Sequence, residues 1–304
     1  MRLNWRGILG RAVLAGVCLA GATSAGAQDD QFLMPDQSAA KARKILDQAV
    51  EAMGGNAYLN VHDVTCIGRI GQFDHAGEVT GFGKFIDYTQ PPFKERQENL
   101  PKRNIIQVYN GDKGWDLDRG GVSDAPRSDV TDFKEETQKD LDYILRRRSH
   151  EPGMVLRYGG PDVVDLKQAE WVEMVDSDNR TIRIAFADNT HLPIRKMVET
   201  RDPRMQRKTE EIEYYSNYHP IDGVQTPFQI TRERNQIKIF QVFFDKCDYN
   251  TSVADALFTK ESLDQRWAQI PNKEKVRDKK ETDRLKDKEK DDQDSDSSDK
   301  SGKN

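Results

Sequence analysis

Apolar and polar residues alternate along most of the chain, and this period of two is typical of β-strands. In VQTPFQITRER, for example, Val224, Phe228 and Ile230 share one face, and polar residues occupy the other. Turn pairs such as Asp-Asn, Gly-Gly, Asp-Pro and Asp-Gly divide these segments, which predicts an antiparallel meander. A parallel sheet would need a helix between most strands. The predicted strands are HDVTCIGRI, EVTGFGKFIDY, RNIIQVYN, GWDLD, GMVLRY, AEWVEMVD, RTIRIAFAD, LPIRKMVETR, KTEEIEYYSNY, VQTPFQITRER and IKIFQVFFDKC.

Two segments have helical spacing instead. SAAKARKILDQAVEAMGG offers Ser38 as an N-cap and Gly54-Gly55 as the stop. Its apolar stripe consists of Ala42, Ile45, Leu46, Ala49, Val50 and Met53. A second helix is predicted in DFKEETQKDLDYILRRR, where Phe133, Leu141, Ile144 and Leu145 form the apolar side.

Several strands are apolar on both faces. In IKIFQVFFDKC, one face has Ile237, Ile239 and Phe243, and the other has Phe240, Val242 and Phe244. A sheet of this kind needs cover on both sides. Two short helices cover one concave face only in part, so the material that fills the remainder becomes the functional question.

The N-terminus has the order of a secretory signal. Three arginines precede the short apolar run from Ala12 to Ala22, and Ala25-x-Ala27 forms a cleavage site. The run is shorter than the roughly 20 residues that span a bilayer. Cys18 follows Val17 inside this run, whereas a lipidated cysteine follows a small residue, so plain cleavage after Ala27 is favoured over lipidation. The predicted parts are a signal peptide (1–27), a linker (28–37), a β domain (38–271) and a tail (272–304).

The tail contains eleven Lys/Arg and eleven Asp/Glu, with Val276 and Leu285 as its aliphatic residues. Such a segment buries too little apolar surface to offset its ordering entropy, which predicts disorder. Loss of the three signal-peptide arginines takes the formal charge of the chain from −5 to −8. An acidic chain of this kind has no electrostatic attraction to nucleic acid. No later segment is long and apolar enough to be an integral membrane span.

The stretch YNGDKGWDLDRGG, from Tyr109 to Gly121, has the composition of a metal or phosphate loop. A helix-loop-helix calcium site needs a Glu at its twelfth position, and no register supplies one. The Gly-Lys-Ser/Thr of a phosphate cradle is absent as well. Asn110-Gly111 is a strong tight-turn pair, and we expect Gly114 to take a positive φ before Trp115 returns into a strand. We therefore interpret the stretch as a hairpin.

No catalytic or metal-binding signature is present in the sequence. The five histidines are not spaced three or four apart, which gives zinc no support. A Gly-x-Ser-x-Gly nucleophile turn is absent. We therefore expect no enzyme activity, no cofactor and no metal. The mature chain keeps Cys66 and Cys247, and the sequence leaves open a disulfide or two buried thiols.

These patterns together resemble the bacterial outer-membrane lipoprotein carrier (sorting protein) superfamily. YNGDKGWDL is similar to its Asn-Gly-x-x-x-Trp hairpin, and YHPIDGVQTPFQI to its Asp-Gly-Val-x-x-Pro hairpin. NTHLPIRKMVE and YNTSVADALF resemble its Leu-Pro strand and its closing segment. The likeness runs in order from Ser38 to Phe258. It implies an α+β, mainly antiparallel β fold: a curved, unclosed β-barrel, or half-barrel, with helices covering the concave face.

The resemblance also implies a function without catalysis. We expect a periplasmic, monomeric carrier that binds a lipid, or the acyl chains of a lipoprotein, in an apolar concave cavity. The candidate lining residues are Phe82, Phe85, Trp115, Trp171, Phe228, Phe240 and Phe243. Two alternatives stay open: an envelope sensor or interaction module that binds a protein partner through the same sheet, and an envelope hydrolase with an unrecognised site.

Overall fold

The computed structural model describes residues 33–201 and 208–271. The predicted signal peptide and the predicted charged tail lie outside these ranges. Thirteen strands of the described part form one sheet. They are β1 (Val64–Phe73), β2 (Val79–Gln90), β3 (Lys94–Leu100), β4 (Ile106–Asn110), β5 (Lys113–Asp118), β6 (Gly121–Asp124), β7 (Val155–Val164), β8 (Lys167–Val175), β9 (Thr181–Ala187), β10 (Pro193–Arg201), β11 (Lys208–Ile221), β12 (Val224–Arg234) and β13 (Ile237–Tyr249).

The strand order is β6-β5-β4-β3-β2-β1-β13-β12-β11-β10-β9-β8-β7, and every pair is antiparallel. The edges β6 and β7 do not pair, so the curved sheet is an unclosed half-barrel. The predicted meander and fold class are confirmed. Strands that follow each other in the chain are neighbours in the sheet, except that β6 and β7 form the two opposite edges, and β13 lies beside β1.

The pattern of alternation missed two strands, β3 and β6. The sequence of β3 is KERQENL, in which Arg96 and Glu98 are the buried residues. Arg96 Nε donates to Glu98 Oε1 at 2.5 Å, and its Nη1 donates to the Leu257 carbonyl. A strand whose inward side chains form a buried ion pair carries no apolar periodicity, which is why it resembles a loop in sequence.

The first helix, α1 (Pro35–Met53), begins three residues before the predicted N-cap. Pro35 occupies the first turn, where a missing N–H costs nothing, and the Gln37 side chain accepts the Met34 N–H. The Ser38 hydroxyl accepts the Tyr158 N–H instead of capping. The predicted stop is confirmed: Gly54 has φ +130°, and a Cβ there would lie 2.2 Å from the Gly223 carbonyl oxygen. The short α2 (Asn56–Leu59) follows.

The predicted mid-chain helix is two helices, α3 (Arg127–Lys139) and α4 (Leu141–Arg146). The break falls at Asp140, which is extended, with φ −62° and ψ 138°. Its carboxylate accepts the N–H groups of Asp142 and Tyr143 and so caps the second helix. Short 3-10 turns span Arg148–His150 and Asp255–Phe258, and α5 (Lys260–Gln269) ends the described chain.

Helices α1, α2 and α4 cover one half of the concave face. The stripe of α1 packs on alternate residues of the strands from β7 to β12. This main core contains Ala42, Ile45, Leu46, Ala49, Met53, Tyr58, Leu141, Ile144, Leu145, Val172, Met174, Ile182, Ile184, Phe186, Val198, Tyr215 and Val224. None of the helices in the described ranges has the length and apolar content to cross a membrane.

Two smaller cores lie on the opposite, convex face. One is covered by α5 and the turn before it, and it consists of Ile106, Val108, Leu117, Phe258, Leu263 and Ile270. The other lies at the far end of the sheet and consists of Val164, Ala169, Trp171, Ala185, Ala187 and Ile194. Each face is therefore covered in patches.

Cys66 and Cys247 are directly opposite each other on β1 and β13, with a Cα–Cα distance of 4.1 Å, and a disulfide joins them. The two residues are 181 positions apart in the sequence. The bond holds β13 beside β1, the one pair of adjacent strands in the sheet that are not consecutive in the chain.

We expect the double variant Cys66→Ala/Cys247→Ala to lower the free energy of unfolding by about 2–5 kcal/mol, because the bond restricts a long loop in the unfolded chain. Urea unfolding of the variant and of the wild type, with and without dithiothreitol, measures this. Equal stability of the variant, the reduced wild type and the oxidised wild type would contradict the prediction.

Candidate binding site between the sheet and helix α3

Helix α3 crosses the concave face as a bridge. At one side Phe133 stacks on Tyr109 of β4, with ring centroids 4.4 Å apart, and Lys134 Nζ lies 2.5 Å from Asp112 Oδ1. At the other side Glu136 Oε2 lies 2.5 Å from Arg232 Nη1 on β12. In the sheet, β3, β2, β1 and β13 lie between β4 and β12. The helix therefore spans a trough whose floor is these four strands.

Part of that floor is apolar. Val64 packs in the main core, so by the period of two Gly68 and Ile70 face the trough as well. Gly68 pairs with Phe85 on β2 and with Phe244 on β13, and these two rings meet edge to face with centroids 6.1 Å apart. A Cβ on Gly68 would lie 2.6 Å from a backbone oxygen and 3.1 Å from the Phe85 ring. Glycine is therefore needed at this contact.

The apolar floor is only partly covered. Ile70, Val242 and Phe244 are half-buried, whereas Phe85 is buried. Val242 pairs with Ile70 and therefore shares the same face. The protein's own side chains leave these three residues accessible.

The neighbouring part of the floor is acidic. Asp87 lies two residues after Phe85 on β2, and Glu95 of β3 pairs with Thr89, so both share the trough face. Burial raises the pKa of Asp87 from 3.8 to about 7. Burial, followed by the charges of Asp87 and Asp140, raises the pKa of Glu95 well above its usual value. Asp87 Oδ2 accepts the Thr89 hydroxyl, and Oδ1 is buried without a hydrogen-bond partner among the described residues.

Asp140 approaches these carboxyls from the helix side. Its side chain is exposed, yet burial, with the nearby charge of Asp142 next in importance, raises its pKa to about 6. The charge of Asp140 contributes to the raised pKa of Glu95, so the two carboxyls lie near each other. Three carboxyls, from β2, from β3 and from the junction of α3 and α4, therefore surround one part of the trough.

The opposite side of the trough, on β10, β11 and β12, carries buried charges that pair with each other. Glu213 Oε2 lies 2.6 Å from Lys196 Nζ, Arg232 Nε donates to Oε1, and the Tyr215 hydroxyl also donates to this carboxylate. Burial alone would raise the pKa of Glu213, but Lys196 and Arg232 outweigh it and lower the pKa to about 2. This network attaches α3 to β10, β11 and β12.

The seven predicted lining residues do not lie together. Phe85 faces the trough, and Phe240 lies on the same face with its ring 5.0 Å from the Arg232 guanidinium. Phe82, which is 79% exposed, and Phe243 lie on the convex face. Phe228 meets His219 edge-on at 4.7 Å.

The two tryptophans belong to the convex cores. Trp115 packs in the core under α5, and Trp171 is buried at the far end of the sheet, where its Nε1 donates to Asp162 Oδ2. The sequence prediction also omitted Ile70, Val242 and Phe244, although alternation places Val242 and Phe244 on the face of Phe240. Asp87 and Glu95 carry no sequence signal that separates them from surface carboxylates. Gly114 does not have the expected positive φ. Glycine is needed there for space, because a Cβ would lie 2.9 Å from Tyr109 and 3.0 Å from Ala125 and Val130.

No model of a known protein family matches the sequence, and no curated protein matches it. Among solved structures, the chain is similar to a DUF1329 family protein from Desulfovibrio piger, with 15% identity, coverage of 73% of this chain and 98% of that chain, and a TM-score of 0.54. A LolA superfamily protein from Nitrosomonas europaea matches with 13% identity, coverage of 73% and 99%, and a TM-score of 0.47. A putative outer-membrane lipoprotein-sorting protein domain from Vibrio parahaemolyticus matches with 11% identity, coverage of 73% and 99%, and a TM-score of 0.49.

At identities this low, the similarity concerns the fold alone. The class that the fold defines is the unclosed, curved antiparallel sheet with helices on its concave face. The DUF1329 family protein, whose TM-score exceeds 0.5, shares this fold.

We expect Asp87→Asn to stabilise the protein at pH 8 and to stabilise it less at pH 5. The folded-state pKa of about 7 lies above the usual 3.8, so the folded protein keeps a proton that the unfolded chain releases. That contribution to stability is fully present below pH 3.8 and is lost progressively as the pH rises from there to about 7. Asparagine imitates the neutral form, and a gain of about 2–4 °C in Tm is expected at pH 8.

The control is Asp112→Asn, because the pKa of the exposed, ion-paired Asp112 is lowered rather than raised. Thermal unfolding of both variants at the two pH values tests the sign. Destabilisation of Asp87→Asn at pH 8 would contradict the placement of this carboxyl.

Proposed function

We propose that this chain is a non-catalytic carrier of the cell envelope that binds an amphipathic, lipid-like ligand in the trough beneath α3. The observation that supports this proposal most directly is the apolar floor of Ile70, Val242 and Phe244. It lies on the face that α3 crosses, and the protein's own side chains leave it half-buried. The envelope location rests on the predicted signal peptide. The proposed form is a single chain with one ligand.

The apolar end of the ligand would lie on this floor. Each Å² of apolar surface removed from water contributes about 25 cal/mol, so an acyl chain gains affinity from contact alone. Gly68 and Gly83 add no side chains to the floor, and Phe85 with Phe244 forms an aromatic patch in its centre. A surface of this kind selects for apolar length rather than for one specific molecule.

The polar end would lie against Asp87, Glu95 and Asp140. Carboxyls whose charge is disfavoured by burial gain most from a cation or from hydrogen-bond donors. An amine or a group rich in hydroxyl and amide N–H donors fits this part of the trough, whereas a free carboxylate or phosphate there would meet repulsion. The support for a lipid-like ligand is therefore stronger for a cationic or neutral head group than for an anionic one.

Phe244 and Phe243 are consecutive residues with opposite faces and make a matched pair for testing the trough. We expect Phe244→Ser to raise the dissociation constant of a fluorescent acyl probe by about tenfold or more, because it removes apolar contact. Phe243→Ser should leave binding unchanged. Probe titration of folded variants, with Tm as the check on folding, measures both. Equal effects of the two variants, or no saturable binding by the wild type, would overturn the carrier function.

The head group preference is tested by pH. A fluorescent alkylammonium probe should bind more tightly at pH 8 than at pH 5.5, because Asp87 and Asp140, with pKa values of about 7 and about 6, gain charge across that interval. An alkyl alcohol of equal chain length should show little change. The triple variant Asp87→Asn/Glu95→Gln/Asp140→Asn, in which asparagine keeps the N-cap of α4, should remove the pH dependence and leave alcohol binding intact. A pH dependence that survives in this variant contradicts the assignment.

A further inference from the structure

The middle of the convex face carries exposed apolar side chains. Phe82 is 79% exposed and Val79 is 49% exposed, and Ile67, Ile86 and Phe243 are half-buried on the same face. Helix α5 covers only the β4–β6 end of this face, and the Trp171 core lies at the other end. Within the part of the chain that the structure describes, no helix packs on the strands between them.

Phe82 stands at one end of the sheet. It lies four residues into β2, close to the β1–β2 turn, and Gln72 pairs with both Gly81 and Phe240, which brings the β12–β13 turn to the same end. Glycines flank Phe82 on both sides, and no atom lies within 4 Å of a Cβ placed on Gly81. The ring therefore projects from an open, convex surface and does not border a concave pocket.

Basic side chains surround this ring. Lys84 is exposed on the same face, two residues along β2, and pairs across the strands with Arg69. Lys238 lies over the Phe73 ring, 5.2 Å from its centroid. Neither lysine has a carboxylate partner among the residues described.

Most carboxylates near the Phe82 ring form an ion pair or accept hydrogen bonds. Asp245 pairs with Arg69, with N–O 3.0 Å apart, and the Asp74 carboxylate accepts the N–H groups of Ala76 and Glu78 in the turn. Glu78 is exposed and opposes the lysines. Glu233 lies directly opposite Lys238 in the sheet, and its carboxylate accepts the Tyr214 hydroxyl, so the two lysines are the basic groups of this surface that have no carboxylate partner among the described residues.

We propose that this surface, which we name the Phe82 face (Phe73, Val79, Phe82, Lys84 and Lys238), binds the surface of an anionic phospholipid membrane reversibly. The Phe82 ring enters the headgroup region, and the two lysines contact lipid phosphates. A lipid surface is favoured over a protein partner, because the cores of protein interfaces are depleted of lysine and need shape complementarity that a single projecting ring does not offer. The trough is on the opposite face, so this proposal and the carrier proposal fail independently.

The test is co-sedimentation of the purified protein, as its host produces it, with vesicles of phosphatidylcholine alone or with a quarter of phosphatidylglycerol. We expect binding to the mixed vesicles only, with weakening as salt rises from 0.1 to 0.5 M. Phe82→Ser should lower the partition coefficient by about tenfold. Lys84→Glu/Lys238→Glu should abolish the preference for the anionic lipid, and Glu78→Gln should strengthen binding.

The matched control is Leu166→Ser. Leu166 is 98% exposed in the turn between β7 and β8, far from the Phe82 face in the strand order, and its replacement should change nothing. An equal loss for Leu166→Ser, or no binding to the anionic vesicles, would overturn the proposal. So would self-association that Phe82→Ser abolishes in sedimentation velocity, since the face would then be an interface between two copies.

Discussion

The packing of α1, α2 and α4 on one half of a sheet that cannot close is the contact on which the remaining structure depends. An antiparallel sheet that is apolar on both faces needs cover on both sides. The α1 stripe supplies that cover between β7 and β12, and α5 supplies it on the reverse face of β4 and β5. Among residues 33–201 and 208–271, two regions then remain without apolar cover: the concave floor of β1, β2, β3 and β13, and the convex middle of the sheet. The candidate sites lie in these two regions.

Helix α3 shows why the concave region stays open. Its sequence, RSDVTDFKEETQK, is polar, and Val130 is its one buried residue. It cannot fill the trough with an apolar stripe, and it is held at its two sides by the Phe133–Tyr109 stack and by the Glu136–Arg232 ion pair. Ion pairs of this partly exposed kind contribute little each. They position the helix across the concave face, where Val242 and Phe244 stay half-buried.

The architecture could be predicted from sequence because a period of two specifies strands, and turn residues specify an antiparallel order. The method failed where a strand buries charge, as in β3 with Arg96 and Glu98, and where a polar residue interrupts a helical pattern, as Asp140 does between α3 and α4. The site was harder for a related reason. Alternation assigns Phe243 and Phe244 to opposite faces, but only the position of the helices shows which face is concave. The predicted aromatic residues are therefore divided between the trough, the convex surface and the two convex cores instead of lining one cavity.

The buried carboxyls of the trough are of two kinds: one holds helix and sheet together, and the others have no such structural role. Glu213 is deeply enclosed, but Lys196 and Arg232 pair with it and keep its pKa low, as expected of a group that fixes helix to sheet. Asp87 and Glu95 are enclosed as well, and burial raises both pKa values. Among the described residues, Asp87 Oδ1 has no hydrogen-bond partner. Apolar residues there would continue the floor of Phe85 and Phe244 and would avoid the desolvation cost. Polar groups that lower stability without forming a structural network are expected where a ligand completes their contacts. The acids beside the half-buried apolar floor therefore support the proposed binding beneath α3 rather than at the aromatic residues that first attract attention.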